Sequence, residues 1–284
     1  MRIRVVTDSS TNVPEAELAR LNIAEVPAIV NFGAESFLNK VEISTEEFYR
    51  RLAAAEKLPT TAQPTPQQFA QAYARLAAEG ADEIIAVTVS SKLSGTLSSA
   101  VLAAEHAAVK VHLWDSLSAS IGGGLQAIAA AEMVRDGLAS AELLQRLAGI
   151  RKRMQTATTP ATLRFLVASG RAPKLQSSIG ELLDIKPILA VIDGLLEPVS
   201  KARGRRRALQ AMLDLVAGTV GDLPARVAVA HANVADEARE FLEAVKTRIR
   251  TVEPLLTELG PVLATLAGPG LIALAAYTLE EPNA

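Results

Sequence analysis

The sequence predicts an α/β protein of two domains, with residues 1–157 carrying a mainly parallel sheet flanked by helices and residues 158–284 carrying a mixed sheet with helices. Three observations predict it. An apolar β-branched run, a hydroxyl-rich loop and a helical pattern recur in that order through the first half, as in parallel strands joined by crossover helices. The 284 residues exceed what one hydrophobic core ordinarily serves and fall short of three domains. In the second half the apolar pieces shorten and Gly and Pro separate them. There residues 188–199, with Asp193 and Gly194 at the centre, read as a hairpin on a DG turn, which introduces antiparallel pairing.

In chain order, residues 3–6 form a buried strand, the loop Thr7, Asp8, Ser9, Ser10 and Thr11 follows, and a helix opens near Pro14. Residues 23–32 form the next strand and complete a β-α-β unit. Ser44 or Thr45 caps a helix with Glu47 in its first turn, and Pro59 bounds its end. The segment PTTAQPTP (59–66) carries three prolines and is a shaped loop; residues 67–80 then form a helix that Gly80 stops. Residues 84–104, IIAVTVSSKLSGTLSSAVLAA, are the unit around which this half is organised: strand, loop, helix. In a parallel sheet such a loop is where ligands sit, facing the unpaired N–H groups of the helix. Ser90, Ser91, Ser94 and Thr96 crowd that position and Gly95 permits close approach, so helix capping and binding of a carboxylate or phosphate both stand as readings. A further strand, 109–114, ends in Asp115 and Ser116. Three strand ends carrying Asp, Ser or Thr exceed what capping alone asks for. Gly122, Gly123 and Gly124 precede an alanine-rich helix and read as close helix packing, since they do not make a dinucleotide fingerprint. The helix 141–154 ends in Arg151, Lys152 and Arg153, which suits its dipole.

In the second half, residues 163–169 lead into Gly170 and Arg171, and a helix is expected near 178–183. KARGRRRALQ, starting at Lys201, sets five basic residues at the entry of a helix over 208–216, where the dipole disfavours cations. A solvated basic face and a docking surface for an acidic or phosphorylated partner both fit. A strand over 227–231 and a helix over 235–248 follow. The uncharged stretch 259–279 is broken by Gly260, Pro261, Gly268, Pro269 and Gly270, and reads as two buried strands around a turn in place of a transmembrane segment.

Composition excludes several functions. With no cysteine there is no disulfide, thiolate nucleophile or thiolate metal site, which fits a cytoplasmic setting, and the N-terminal MRIRVVTDSS already reads as strand and turn instead of a signal peptide. A net charge of −2 and a pI near 6.0 argue against nucleic-acid binding. Aromatics are 4% of the chain, so any pocket is walled by aliphatic side chains and suits a flexible aliphatic ligand better than a flat base. There is no GxSxG elbow, Walker A loop or metal-ligand spacing, so no metal or nucleotide cofactor is expected. Of the histidines, His106 falls in a helix and His112 inside a strand as a structural residue, leaving His231 at a strand end as the one placed for a site.

The ordered set TDSS (7–10), TTAQPTP (60–66), SSKLSGT (90–96), WDS (114–116), Gly170-Arg171, Lys186-Pro187, KARGRRRAL from Lys201 and AGPG (267–270) resembles the DegV family over nearly the whole chain. The resemblance implies a two-domain α/β protein that holds one long-chain fatty acid in an apolar tunnel at the domain interface and has no catalysis of its own. It also implies a partner, a separate ATP-dependent fatty acid kinase that receives the carboxylate and makes an acyl phosphate. Thr61 and Ser94 match the family's head-group hydroxyls, with Thr265 a further candidate for the carboxylate; Arg171 matches the arginine near the head group and Arg203 a basic position of kinase contact. Three positions depart from the pattern: Ala62 replaces a serine, Asn39-Lys40 replaces Asp-Gly, and Leu266 stands where the family has a head-group histidine. That last change removes one hydrogen bond to a charged acceptor, worth roughly 1.5–3 kcal/mol. Burial of a chain of about fifteen carbons contributes up to ~12 kcal/mol at ~0.8 kcal/mol per CH₂, so the expectation is weakened yet retained binding. The alternatives are a lipid-binding or regulatory protein without kinase coupling, and a phosphotransferase or hydrolase using the strand-end Asp and Ser loops.

Overall fold

The structure is a computed structural model that describes residues 2–178 and 184–280. Residues 179–183 of the helix expected near 178–183 lie outside that range; a 3₁₀ turn, Pro173–Ser178, leads up to it.

Strand β1 (Ile3–Asp8) is buried at every residue, and α1 (Glu15–Leu21) returns the chain to pair β2 (Ala24–Val26) parallel to it. The strand expected over 23–32 is two strands. Pro27 lies in the break, and β3 (Ile29–Phe32) leaves for a separate antiparallel sheet with β4 (Glu35–Leu38) and β5 (Thr60–Ala62). Between them α2 (Thr45–Ala54) is capped by Ser44, whose hydroxyl accepts the Glu47 N–H. The PTTAQPTP loop therefore begins as an edge strand and ends as a helix cap. Thr65 and Gln68 form a reciprocal capping box on α3 (Pro66–Ala78), with Pro66 in its first turn. Next come β6 (Glu83–Thr88), α4 (Thr96–Ala104) and β7 (Lys110–Asp115), giving a parallel sheet in the order β2-β1-β6-β7. His106 sits in the turn after α4, not in the helix, and His112 bonds Glu83 at 2.8 Å as a structural residue.

Helix α5 (Ile121–Arg135) is buried at every position from Ile121 to Ala131. An element apolar on all sides must lie between other layers. It packs against β1 and β6 on one side and, on the other, against two strands of a second sheet that run over Ala225–His231 and Ile272–Thr278. The three glycines lie inside its first turns, not before it. A Cβ on Gly123 would press Thr11 and Ser116, and one on Gly124 would overlap the Thr11 carbonyl, so close packing is their role.

After α6 (Ser140–Arg153), a second sheet takes the order β10-β9-β8-β13-β11-β12, antiparallel except for the β11/β12 pair. Its members are β8 (Gln155–Thr159), β9 (Ile185–Ile192), β10 (Leu195–Arg203), β11 (Ala225–His231), β12 (Thr251–Glu258) and β13 (Ile272–Thr278). Helices α7 (Arg164–Ser169), α8 (Arg205–Val220) and α9 (Ala235–Arg248) accompany them. Residue 157, the expected domain boundary, falls within β8. The stretch 259–279 holds one strand, not two, because Pro261 opens α10 (Pro261–Ala267) before β13. Two asparagines of the N-terminal half hold the start of that helix: Asn12 Oδ1 accepts the Gly260 N–H at 3.1 Å and Asn39 Oδ1 accepts the Val262 N–H at 3.0 Å. Asn39 thus supplies the acceptor an aspartate would. Lys40 sits at φ +60°, where glycine is the unstrained residue.

Candidate functional site

A cavity of about 450 Å³ lies between the two sheets. One wall is the inner face of the second sheet, where Thr156 and Thr158 on β8, Val191 on β9 and Ala273 and Ala275 on β13 share one side, and the two alanines leave room because their side chains are small. The opposite wall comes from Val89 and Leu93 after β6, Ala119 to Gly122 at the start of α5, and Val262, Leu263, Leu266 and Ala267 on α10. Among the described residues no aromatic side chain lines it. The polar groups on its margin include the Thr61 and Ser94 hydroxyls, the Gln63 amide and Arg171.

Each of these is placed by local structure. Thr61 sits mid-way along edge strand β5, paired with Val30. Ser94 lies in the loop before α4; its hydroxyl shares a 2.8 Å hydrogen bond with that of Thr96 and accepts the Thr96 N–H at 3.4 Å. Gly170, at φ +71°, ends α7 and turns Arg171 to the cavity, where its guanidinium donates to the Ser169 carbonyl. Leu266 also lines the cavity, so an alkyl group occupies the wall where the family resemblance would place an imidazole.

The structure does not bring the remaining candidates there. Thr265 is turned away: its hydroxyl donates to the Pro261 carbonyl at 2.9 Å within α10, and the residue does not line the cavity. Its expected carboxylate role is therefore corrected. Arg203 is exposed at the end of β10. Of the five basic residues in its stretch, Arg205 is accounted for by a bidentate pair with Glu237 at 2.9 Å and a bond to the Thr159 carbonyl. Lys201, Arg203, Arg206 and Arg207 are exposed and have no ion partner among the described residues.

The strand-end acids prove to be braces. Asp8 is fully buried and accepts the Val89 and Ser10 N–H groups at 2.8 Å each, tying β1 to β6. Burial raises its carboxyl pKa above the ordinary value, while the donors to it pull the other way. Asp115 accepts the Ser91 N–H, the Ser91 hydroxyl and the Leu117 N–H. Ser90 donates to the Gly194 carbonyl at 2.7 Å, linking this loop to the tip of the β9–β10 hairpin. Neither Asp8 nor Asp115 lines the cavity, so neither is placed as an acid or base toward a ligand held there. His231 is buried, does not line the cavity, and burial lowers its pKa, favouring the neutral ring. Among the described residues there is no cluster of His, Asp or Glu able to hold a metal, and no helix long and apolar enough to cross a membrane.

A family model described as "Uncharacterised protein, DegV family" matches residues 2–279. The chain belongs to the DegV family. A DegV domain-containing protein of Deinococcus radiodurans is 34% identical over 281 residues, spanning 99% of this chain and 100% of the relative. A fatty acid-binding protein of Thermotoga maritima is 31% identical over 290 residues, 99% of each chain. Among solved structures, a fatty-acid-binding DegV family protein from Thermus thermophilus superposes with a TM-score of 0.90 at 32% identity, covering 98% of this chain and 100% of its own. That architecture, a parallel and a mixed sheet with helices, is the one the sequence predicts. Sequence reasoning missed the third sheet, the asparagine caps of α10 and Gln63. A positional clue to Gln63 was present, since it lies two residues beyond Thr61 and so shares its face of an extended segment.

Proposed function

We propose that this DegV protein binds one long-chain fatty acid in the cavity between its sheets, with the carboxylate at the margin formed by Thr61 and Ser94 and Arg171 nearby. The observation that carries the proposal is an aliphatic, aromatic-free cavity of about 450 Å³ bordered by uncharged hydroxyl donors and one arginine. Such a site gains affinity chiefly from buried methylenes and direction from a few polar groups. The fatty-acid-binding relatives support the reading. Native mass spectrometry of delipidated protein tests it. Uptake of one palmitate or oleate per chain is expected, and an unchanged apo mass with excess ligand overturns it.

The finer proposal is that the protein is a carrier without catalysis of its own and presents the carboxylate to a separate ATP-dependent kinase. The exposed cations Lys201, Arg203, Arg206 and Arg207 support it. Lys201 and Arg203 end β10 and Arg206 and Arg207 open α8, where the helix dipole gives cations no stabilising role, so a partner's acidic surface is the better explanation of their charge. Arg203→Ala is expected to leave oleate affinity unchanged and to lower acyl phosphate formation by an added fatty acid kinase. Equal loss of both would place Arg203 in the fold or cavity instead.

A further inference from the structure

We infer that Gln63 is the positioning residue of the cavity mouth: its side-chain amide holds β5 against the first turn of α4 and so sets the separation of Thr61 and Ser94. The inference rests on the fatty-acid reading above. Gln63 lines the cavity although it is exposed at the rim. Its Nε2 donates to the buried hydroxyl of Ser99 at 3.1 Å, one turn into α4. Its amide also sits against Gly95, where an added Cβ would overlap it. Gly95 has φ −75° and ψ 10°, a conformation open to every residue, so the glycine is needed there for space and not for backbone freedom. Gln63 and Gly95 therefore form a matched pair, an amide and the gap that admits it, immediately beside Ser94. Because Thr61 and Gln63 project from the same face of the extended segment, anchoring the amide on α4 fixes the Thr61 hydroxyl relative to the Ser94 hydroxyl. Two donors that must meet one carboxylate gain from being set in advance, whereas the acyl chain, held by area, is indifferent to that spacing.

The experiment compares oleate with oleyl alcohol, which has the same chain and no charge, in wild type, Gln63→Ala, Gly95→Ala and the double variant. Gln63→Ala is expected to weaken oleate about 3- to 10-fold, the effect of losing one neutral hydrogen bond, with oleyl alcohol unchanged within about 2-fold. Gly95→Ala, which displaces the amide, should do the same alone and add nothing in the Gln63→Ala background. The carboxyl resonance of [1-¹³C]oleate should move in each single variant. Parallel weakening of acid and alcohol, additive effects in the double variant, or an unmoved carboxyl resonance would each overturn the inference. A wild-type protein that takes up neither ligand would overturn the fatty-acid reading itself, and this inference with it.

Discussion

Lengthening the ligand or shortening the cavity should move the same optimum. Taking each methylene at a water's share of liquid volume, ~30 Å³, the cavity holds roughly fifteen carbon groups. Each buried CH₂ contributes ~0.8 kcal/mol, about four-fold in affinity, so dissociation constants for saturated acids should fall about four-fold per carbon and level off near fifteen or sixteen carbons. Ala273 is the residue to fill. It is the second residue of β13, lines the cavity, and is only part-buried because its methyl faces that open space. Ala273→Leu adds three carbons to the wall and should move the plateau about three carbons shorter, leaving the four-fold increments below it intact. Isothermal titration with acids of ten to twenty carbons in both proteins measures this. A plateau at the same length in both, or affinity still climbing at twenty carbons in wild type, would refute the assignment of this cavity to the acyl chain.

Ser94→Ala and Thr61→Ala should each weaken oleate by about ten-fold or more, the loss of a hydrogen bond to a charged acceptor of ~1.5 kcal/mol or above, read by the same titration. Leu266→His should tighten oleate, most strongly below pH ~6.5 where the imidazole is charged; unchanged affinity at pH 6 would mean that residue 266 does not meet the head group. Glu25 on β2 is pushed up to about 7, first by burial, with Asp8 and Glu15 adding to the rise and Lys40 opposing it. A carboxyl whose folded pKa is raised stabilises the fold at acid pH, and that contribution is lost as pH climbs through about 7. Glu25→Gln, which mimics the protonated form, should therefore raise stability by about 1–2 kcal/mol at pH 8, a figure discounted for the residue's partial solvent contact, and by almost nothing at pH 4.5. Urea unfolding at the two pH values measures it, and equal gains at both would contradict the assignment.

Wherever one local rule sufficed, the sequence was readable. Alternation of strand, loop and helix through residues 3–115 gave the parallel sheet because each crossover needs only nearby residues. The DG turn at Asp193-Gly194 gave the hairpin for the same reason, and Thr61, Ser94, Arg171 and Leu266 were found on the cavity because short motifs carried them. What failed depended on distant partners. Residues 23–32 are mostly apolar, and only the separate destinations of β2 and β3 show that the run is cut at Pro27. In 261–267 the apolar residues fit strand and helix equally, and the helix is opened by Pro261 and held at its first N–H groups by Asn12 and Asn39, more than 200 residues away. Thr265 was a hydroxyl at a promising address, but a helical threonine can satisfy its own carbonyl four residues back, and this one does.

The glycine- and alanine-rich helix α5 gives the two sheets a common fate. It contributes to one continuous apolar cluster that takes in Ile3 and Val5 of β1 as well as Ala228 of β11 and Tyr277 of β13, and Glu132 near its end pairs with the buried Arg226 of β11. Neither sheet can shed this helix without exposing its own inner face to water. Heating should consequently produce a single calorimetric transition, with van't Hoff and calorimetric enthalpies in agreement for the entire chain. A gene split at the junction of the halves would yield two polypeptides that each lack half a core, stable only when they find each other.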